Sequence, residues 1–137
     1  MTCFIDSNIL IDIIDRDPKW AVWSESKVDR LAANGPLIIN PIVYAEVSIY
    51  FDSEDEVERA LNFTGLRREP LPWQAAFLAG RAFLNYRRRG GNRRSPLPDF
   101  YIGSHAAALG YTLLTRDPAR YRDYFPGLQI VAPDTHP

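Results

Sequence analysis

Four carboxylates stand where a carboxylate needs a reason. Asp6 ends the apolar run Cys3-Phe4-Ile5, and an unpaired charge at the end of a buried strand is costly. Asp117 closes Tyr111-Thr112-Leu113-Leu114-Thr115-Arg116-Asp117, which repeats that design: an apolar segment, then a polar exit with an acid. Glu46 has Ile42, Val43, Ile49 and Tyr50 at i−4, i−3, i+3 and i+4. On a helix it would interrupt an apolar stripe, a break in binary pattern of the kind found at functional sites. Asp99 follows Pro98 at a helix start, ahead of the small residues Gly103, Ser104, Ala106, Ala107 and Ala108. Each acid also has a plainer explanation. Asp6-Ser7-Asn8 is an N-cap signature, Asp117-Pro118 opens turns, Asp99 complements a helix dipole, and Glu46 at a helix boundary can lay its stem along apolar surface.

If the four meet, they cannot all stay ionised without a cation beside them. Oxygen ligands with no Cys or His cluster select Mg²⁺ or Mn²⁺ over Zn²⁺. Ser7 and Thr115, next to the acids in sequence, can hydrogen-bond the carboxylates or a water on the metal. The chemistry of such a centre is metal-dependent hydrolysis of a phosphodiester. A basic run, Tyr86-Arg87-Arg88-Arg89-Gly90-Gly91-Asn92-Arg93-Arg94, precedes Asp99. Its five arginines would neutralise phosphates and guide a nucleic acid. Tyr86 and Phe100 are either base-stacking platforms or core residues. The basic run fits an acidic protein partner or a solvated helix end equally well.

The elements that must position these groups follow from the pattern of apolar runs and breakers. Short strands are expected at Thr2–Ile5, Leu37–Asn40, Arg67–Leu71, Tyr111–Thr115 and Gly127–Val131. Helices are expected at 9–14, from Asp17-Pro18 to about Ala33, from Pro41 to about Phe51, at Glu54–Phe63, from Trp73 to about Arg88, and from Pro98 to about Leu109. Strands alternating with helices give an α/β domain with a mostly parallel central sheet. Ligands of such sheets bind beyond the carboxyl ends of the strands, where Asp6 and Asp117 fall. The tail from Ala132 to Pro137 is expected to fray.

Bulk properties agree with one globular domain. The chain has 137 residues, 46% of them hydrophobic, and a formal net charge of −1, so basic character is local to the arginine run. Its one cysteine, Cys3, cannot form an internal disulfide and reads as a small buried hydrophobe. No apolar stretch is long enough to span a bilayer, no secretory leader opens the chain, and a reducing cytoplasmic location is expected.

The stretches FIDSNIL, NPIVYAEV, LPDFYIGSHAAALGYTLLTRD and LQIVAP, in this order and spacing, resemble PIN-domain proteins, and more closely the VapC-type toxins of toxin–antitoxin pairs. The resemblance covers almost the whole chain. It implies one PIN domain over residues 1–137, a three-layer α/β/α sandwich, and a ribonuclease using Mg²⁺ or Mn²⁺. The family's acids carry over to Asp6, Glu46, Asp99 and Asp117, and its polar strand-end residue to Thr115. Metal contact is expected directly from Asp6 and Asp99, with Glu46 and Asp117 acting through water or positioning the nucleophile. A homodimer and an inhibitory antitoxin that inserts a basic side chain into the acidic site are implied as well. The arginine-rich Gly-Gly loop near 87–97 departs from the family pattern. Two other readings stay open: a PIN-type RNA-processing nuclease without an antitoxin, and a non-catalytic module whose acidic pocket binds a partner. A receiver-type phosphoacceptor wants paired acids after the first strand and a late lysine, and the chain has neither.

Overall fold

The strands are very short, two or three residues each, and the three central ones are buried throughout because helices cover both faces of the sheet. The computed structural model describes residues 1–94 and 97–137; residues 95 and 96 of the expected basic loop lie outside the described residues. The elements are β1 (Cys3–Ile5), α1 (Ser7–Ile14), α2 (Ala21–Ala32), β2 (Leu37–Ile39), α3 (Pro41–Ser48), α4 (Glu54–Leu61), β3 (Leu66–Arg68), α5 (Trp73–Arg88), α6 (Pro98–Leu109), β4 (Thr112–Leu114), α7 (Ala119–Tyr124) and β5 (Ile130–Val131). All strand pairs are parallel, in the order β3-β2-β1-β4-β5. β1, β2 and β4 are buried throughout. Cys3 is buried as expected, and burial pushes its thiol up to about 12.

The chain winds outward from β1 to β3, then crosses back to β4 on the other side of β1. Parallel crossovers are right-handed, so this reversal sends α5, α6 and α7 to the face opposite α1 and α2. α1 packs on α2, while α5 and α7 both pack on α6. The reversal leaves a crevice between the carboxyl ends of β1 and β4, the switch point where α/β sheets bind ligands.

Several boundaries differ from the sequence expectation. α2 starts at Ala21 because Asp17 Oδ1 accepts the Lys19 and Trp20 amides at 2.8 and 2.9 Å and holds residues 18–20 in a turn. β3 is Leu66–Arg68 and stops short of Pro70, which has no amide to donate. β5 shrinks to two residues. α3 ends at Ser48, not near Phe51, and α4 at Leu61 rather than Phe63. A helix of six residues, α7, fills a stretch to which the sequence pattern assigns no element. The tail is also tied down: Trp23 Nε1 donates to the His136 carbonyl at 2.8 Å, and Arg122 pairs with Asp134.

One buried polar network joins α3, α6 and β3. Asn40 Oδ1 accepts the Ile42 and Val43 amides at 3.0 and 3.1 Å, which caps α3 and fixes the amide's orientation. Asn40 Nδ2 therefore donates to His105 Nδ1 at 3.1 Å, and His105 Nε2–H donates to Glu69 at 3.1 Å. Burial lowers the His105 pKa against the opposing pull of Glu69, so a neutral imidazole locks the helices that carry Glu46 and Asp99.

Candidate active site

Asp6 takes the N-cap position of α1, yet its side chain makes no capping bond. It is 4% exposed and faces the crevice. Its Oδ2 accepts from Thr115 Oγ1 at 2.8 Å and from the Tyr121 hydroxyl at 2.9 Å. The capping explanation for Asp6 is thereby removed. Ser7 Oγ donates to Glu46 Oε1 at 2.8 Å and lies 3.4 Å from Asp6 Oδ1. Tyr121 Oη lies 3.4 Å from Asp99 Oδ1, and Arg120 Nη1 lies 3.4 Å from Asp99 Oδ2. A continuous polar chain thus runs Glu46–Ser7–Asp6–Tyr121–Asp99–Arg120.

Asp117 stands at the exposed rim, its amide donating to Thr115 Oγ1 at 3.1 Å. Asn8 staples this strand exit to α1: its Nδ2 donates to Thr115 Oγ1 at 3.3 Å and its Oδ1 accepts the Arg116 amide at 3.2 Å. Arg116 also donates from Nε to the buried Asp12 at 2.9 Å, and Ser24 holds the same carboxylate oxygen at 3.0 Å. The β1 and β4 exits are therefore fixed to each other by side chains as well as by the sheet.

The acids feel one another. Burial, then the charge of Asp99, raises the Asp6 carboxyl to about 6; Thr115 and Tyr121 pull it down, and Glu46 raises it further. Burial raises Asp99, opposed by Arg120 and Tyr121, with Asp117 pushing it upward. Burial also raises Glu46, opposed by its bond from Ser7 and assisted by Asp99. Tyr121 is pushed well above the usual phenol range by burial and by Asp6, Asp99 and Glu46, so it stays protonated and donates. Negative charge is concentrated here without enough compensation, a cost that a bound cation removes.

Among the described residues, no three acids stand close enough to grip one ion together. Asp6 and Asp99 share the Tyr121 hydroxyl and are the adjacent pair. Mg²⁺ retains several waters and is held by one or two carboxylates, so an all-oxygen set with two adjacent carboxylates and two more nearby fits such an ion.

Residues 3–124 match the PIN domain family. The chain is a PIN-domain protein. Solved structures with the same fold include a chain of VapBC2 from Rickettsia felis, bound to a promoter DNA fragment (TM-score 0.74, 21% identity, covering 96% of this chain and 98% of that one). VapBC-1 from nontypeable Haemophilus influenzae is also similar (TM-score 0.71, 22% identity, 96% and 98% covered). So is a toxin–antitoxin complex from Klebsiella pneumoniae (TM-score 0.66, 21% identity, 94% and 95% covered). A comparison with curated proteins finds no match.

The PIN fold brings Asp6, Glu46, Asp99 and Asp117 to one sheet edge, with Ser7 and Thr115 bonded to them as expected. Glu46 does not, however, interrupt a core-facing stripe. Ile49 is 79% exposed and Tyr50 48% exposed, while Val43 and Val47 face the core. Phe100 is fully buried against Phe83, Tyr86 and Tyr124 and cannot stack a base. Arg87 donates to the Arg93 carbonyl and pins its own loop. Tyr121 and Arg120 join the site from α7, which the sequence pattern does not reveal as a helix. The available signal is the i, i+4 pair Tyr121 and Phe125, which marks one buried helical face.

Proposed function

We propose that this PIN-domain protein is a Mg²⁺- or Mn²⁺-dependent endoribonuclease and the VapC-type toxin of a toxin–antitoxin pair, acting in the cytoplasm. The observation that carries the reading is the polar chain linking Glu46, Asp6 and Asp99 at the β1–β4 switch point, with all three carboxyls raised, first by burial. Asp6 and Asp99 would hold the ion directly, and Glu46 and Asp117 through water. When bound, the ion lowers the pKa of water and neutralises phosphate charge. The residues around it do the positioning. Thr115 and Tyr121 fix the orientation of Asp6, Ser7 turns Glu46 towards it, and Glu46 is the group placed to take a proton from the attacking water. Arg120, now against Asp99, is placed to meet the phosphate.

Partner assembly has its own support. Trp73 is 92% exposed and Phe77 61% exposed on one face of α5, an apolar surface that fits an assembly contact, as in a homodimer. Asp99 already receives a guanidinium, that of Arg120, so an antitoxin's basic side chain would find the same carboxylates. The matched structures are described as VapBC and toxin–antitoxin complexes. No helix among the described residues is long and apolar enough to cross a membrane.

The test is incubation of purified protein with total cellular RNA in Mg²⁺ or Mn²⁺, with EDTA and Asp99→Asn controls. Discrete fragments are expected with metal alone, reduced about a hundredfold or more by Asp99→Asn, the scale seen when a preorganised catalytic group is removed. Equal cleavage by Asp99→Asn sinks the reading. No cleavage with any metal, together with capture of a partner through the acids, would establish the binding module instead.

A further inference from the structure

His105 is a fully buried titratable group that takes no part in the acidic chain. Its ring packs on Phe4 of β1, with centroids 4.9 Å apart, and bonds groups from two further segments. Nδ1 meets Asn40 Nδ2 at 3.1 Å, at the end of β2, and Nε2 meets Glu69 Oε1 at 3.1 Å, just after β3. Tyr111, just before β4, donates to both Glu69 oxygens at 3.1 and 2.8 Å. Burial, then Glu69, raises the Tyr111 hydroxyl, so it stays a donor. Among the described residues, Glu69 is the one charged group bonded to the ring.

The proton positions in this network follow from α3. Its first turn offers two amides, Ile42 and Val43, because Pro41 has none. Asn40 Oδ1 accepts both, so Asn40 must present its amino group to the ring, and His105 Nδ1 can only accept. A second proton on the ring goes to Nδ1 and sets N–H against N–H across 3.1 Å. Turning the Asn40 amide over would satisfy the charged ring, but it would leave the Ile42 and Val43 amides without their acceptor. A charged His105 and a capped α3 therefore exclude each other. Burial disfavours the charged ring as well, against the opposing pull of Glu69.

Both helices at this junction carry acids of the site. Glu46 lies on α3, which Asn40 caps, and Asp99 lies on α6 with His105. The two helices pack on each other. The Asn40–His105 bond is thus a tie between the start of α3 and the middle of α6. Loss of a cap of this kind loosens the first turn of a helix, and Glu46 sits little more than one turn further along α3.

We propose that His105 is a positioning residue for the acidic centre: with its proton on Nε2 the ring ties the cap of α3 to α6, and a second proton on Nδ1 releases that cap and moves Glu46 relative to Asp99, so that mild acid switches the centre off. The tie itself does not depend on the nuclease reading; its effect on cleavage rests on that reading. Overall stability does not read the switch, because protonating His105 costs the folded state as pH falls, whereas protonating Asp6 favours it.

The test is NMR of the ¹⁵N-labelled protein in EDTA. The chain has two histidines, so His136 in the exposed tail serves as the comparison. At neutral pH, His105 should carry its proton on Nε2 and show a bare Nδ1. As pH falls from about 8 to 5, across the range where histidines charge, the Ile42 and Val43 amides should lose hydrogen-exchange protection in step with the charging of His105. The loss should be about tenfold, the scale of one hydrogen bond, after correction for the intrinsic pH dependence of exchange. Asn40→Asp is the decisive variant. One carboxylate oxygen keeps the cap and the other accepts the Nδ1 proton, so His105 should hold that proton about tenfold more tightly or better, and α3 should stay protected in acid. In Mn²⁺, cleavage of total RNA by the wild type should fall several-fold further between about pH 7.5 and 5.5 than cleavage by Asn40→Asp. A proton on Nδ1 at neutral pH overturns the proposal. So does charging of His105 with the Ile42 and Val43 amides unmoved, and so does an identical pH profile of cleavage in Asn40→Asp. Absence of cleavage in any metal overturns the nuclease reading instead, and the amide exchange then decides the tie on its own.

Discussion

Asp6 is held on both sides of its crevice, by Thr115 and by Tyr121. It is buried, accepts two hydroxyl hydrogen bonds, and still has its carboxyl raised from 3.8 to about 6 because burial and Asp99 outweigh those bonds. A folded-state pKa above the unfolded one makes the group favour folding fully below about pH 4, and that contribution is lost as pH rises through about 6. A tenfold change in acidity corresponds to about 1.4 kcal/mol, so ionised Asp6 costs the metal-free protein on the order of 2–3 kcal/mol at neutral pH. Asp6→Asn should therefore stabilise the protein in EDTA by about 2 kcal/mol at pH 7.5, with the gain vanishing near pH 4. Urea unfolding at the two pH values measures this, and no gain at pH 7.5 would show that Asp6 is already compensated. The same substitution should abolish metal-dependent cleavage, so stability and activity should move in opposite directions, as expected at a site strained for function.

The elements carry the site through a few close approaches, and α6 against α7 is one of them. A Cβ on Gly103 would lie 2.5 Å from the Phe125 ring and 3.0 Å from the Tyr121 ring. Gly103 is thus what lets α7 dock closely enough for the Tyr121 hydroxyl to reach both Asp6 and Asp99. Gly103→Ala should cost about 1–3 kcal/mol, the usual scale of overpacking, and should lower cleavage beyond that loss of stability because Tyr121 is displaced. Cleavage measured well below the melting temperature separates the two effects, and a stable variant with unchanged activity would show that Tyr121 is not needed. The small residues of α6 were legible in the sequence, but only the three-dimensional arrangement shows Gly103 serving α7. The strand-end acids were legible for a firmer reason. An apolar run fixes a strand, and its end fixes a sheet edge, so Asp6 and Asp117 are located by chain topology alone. Glu46 was reached from a stripe that proves half exposed, since α3 ends at Ser48 before Ile49 and Tyr50 complete the pattern. α7 was not legible because six residues of alternating charge and aromatic, Ala119–Tyr124, carry little helical periodicity of their own.

At the scale of the whole molecule the question is how a chain of net charge −1 draws a polyanion towards a crevice lined with acids. The acids repel phosphate until a cation is bound, so attraction must come from elsewhere on the surface. The end of α5 and the loop after it are the place, since Arg88, Arg93 and Arg94 are exposed there and form no ion pair among the described residues. Arg87 is held by the Arg93 carbonyl, and Arg89 lies over Tyr124, so these two hold the loop rather than reach outward. Each phosphate neutralised on a single strand contributes about −0.7 to the slope of log K against log salt. Replacing Arg88, Arg93 and Arg94 together with alanine should reduce the magnitude of that slope by about 2. It should weaken binding of all sequences alike. If the slope stays where it was, the loop does not touch RNA, and an acidic protein partner becomes its occupant.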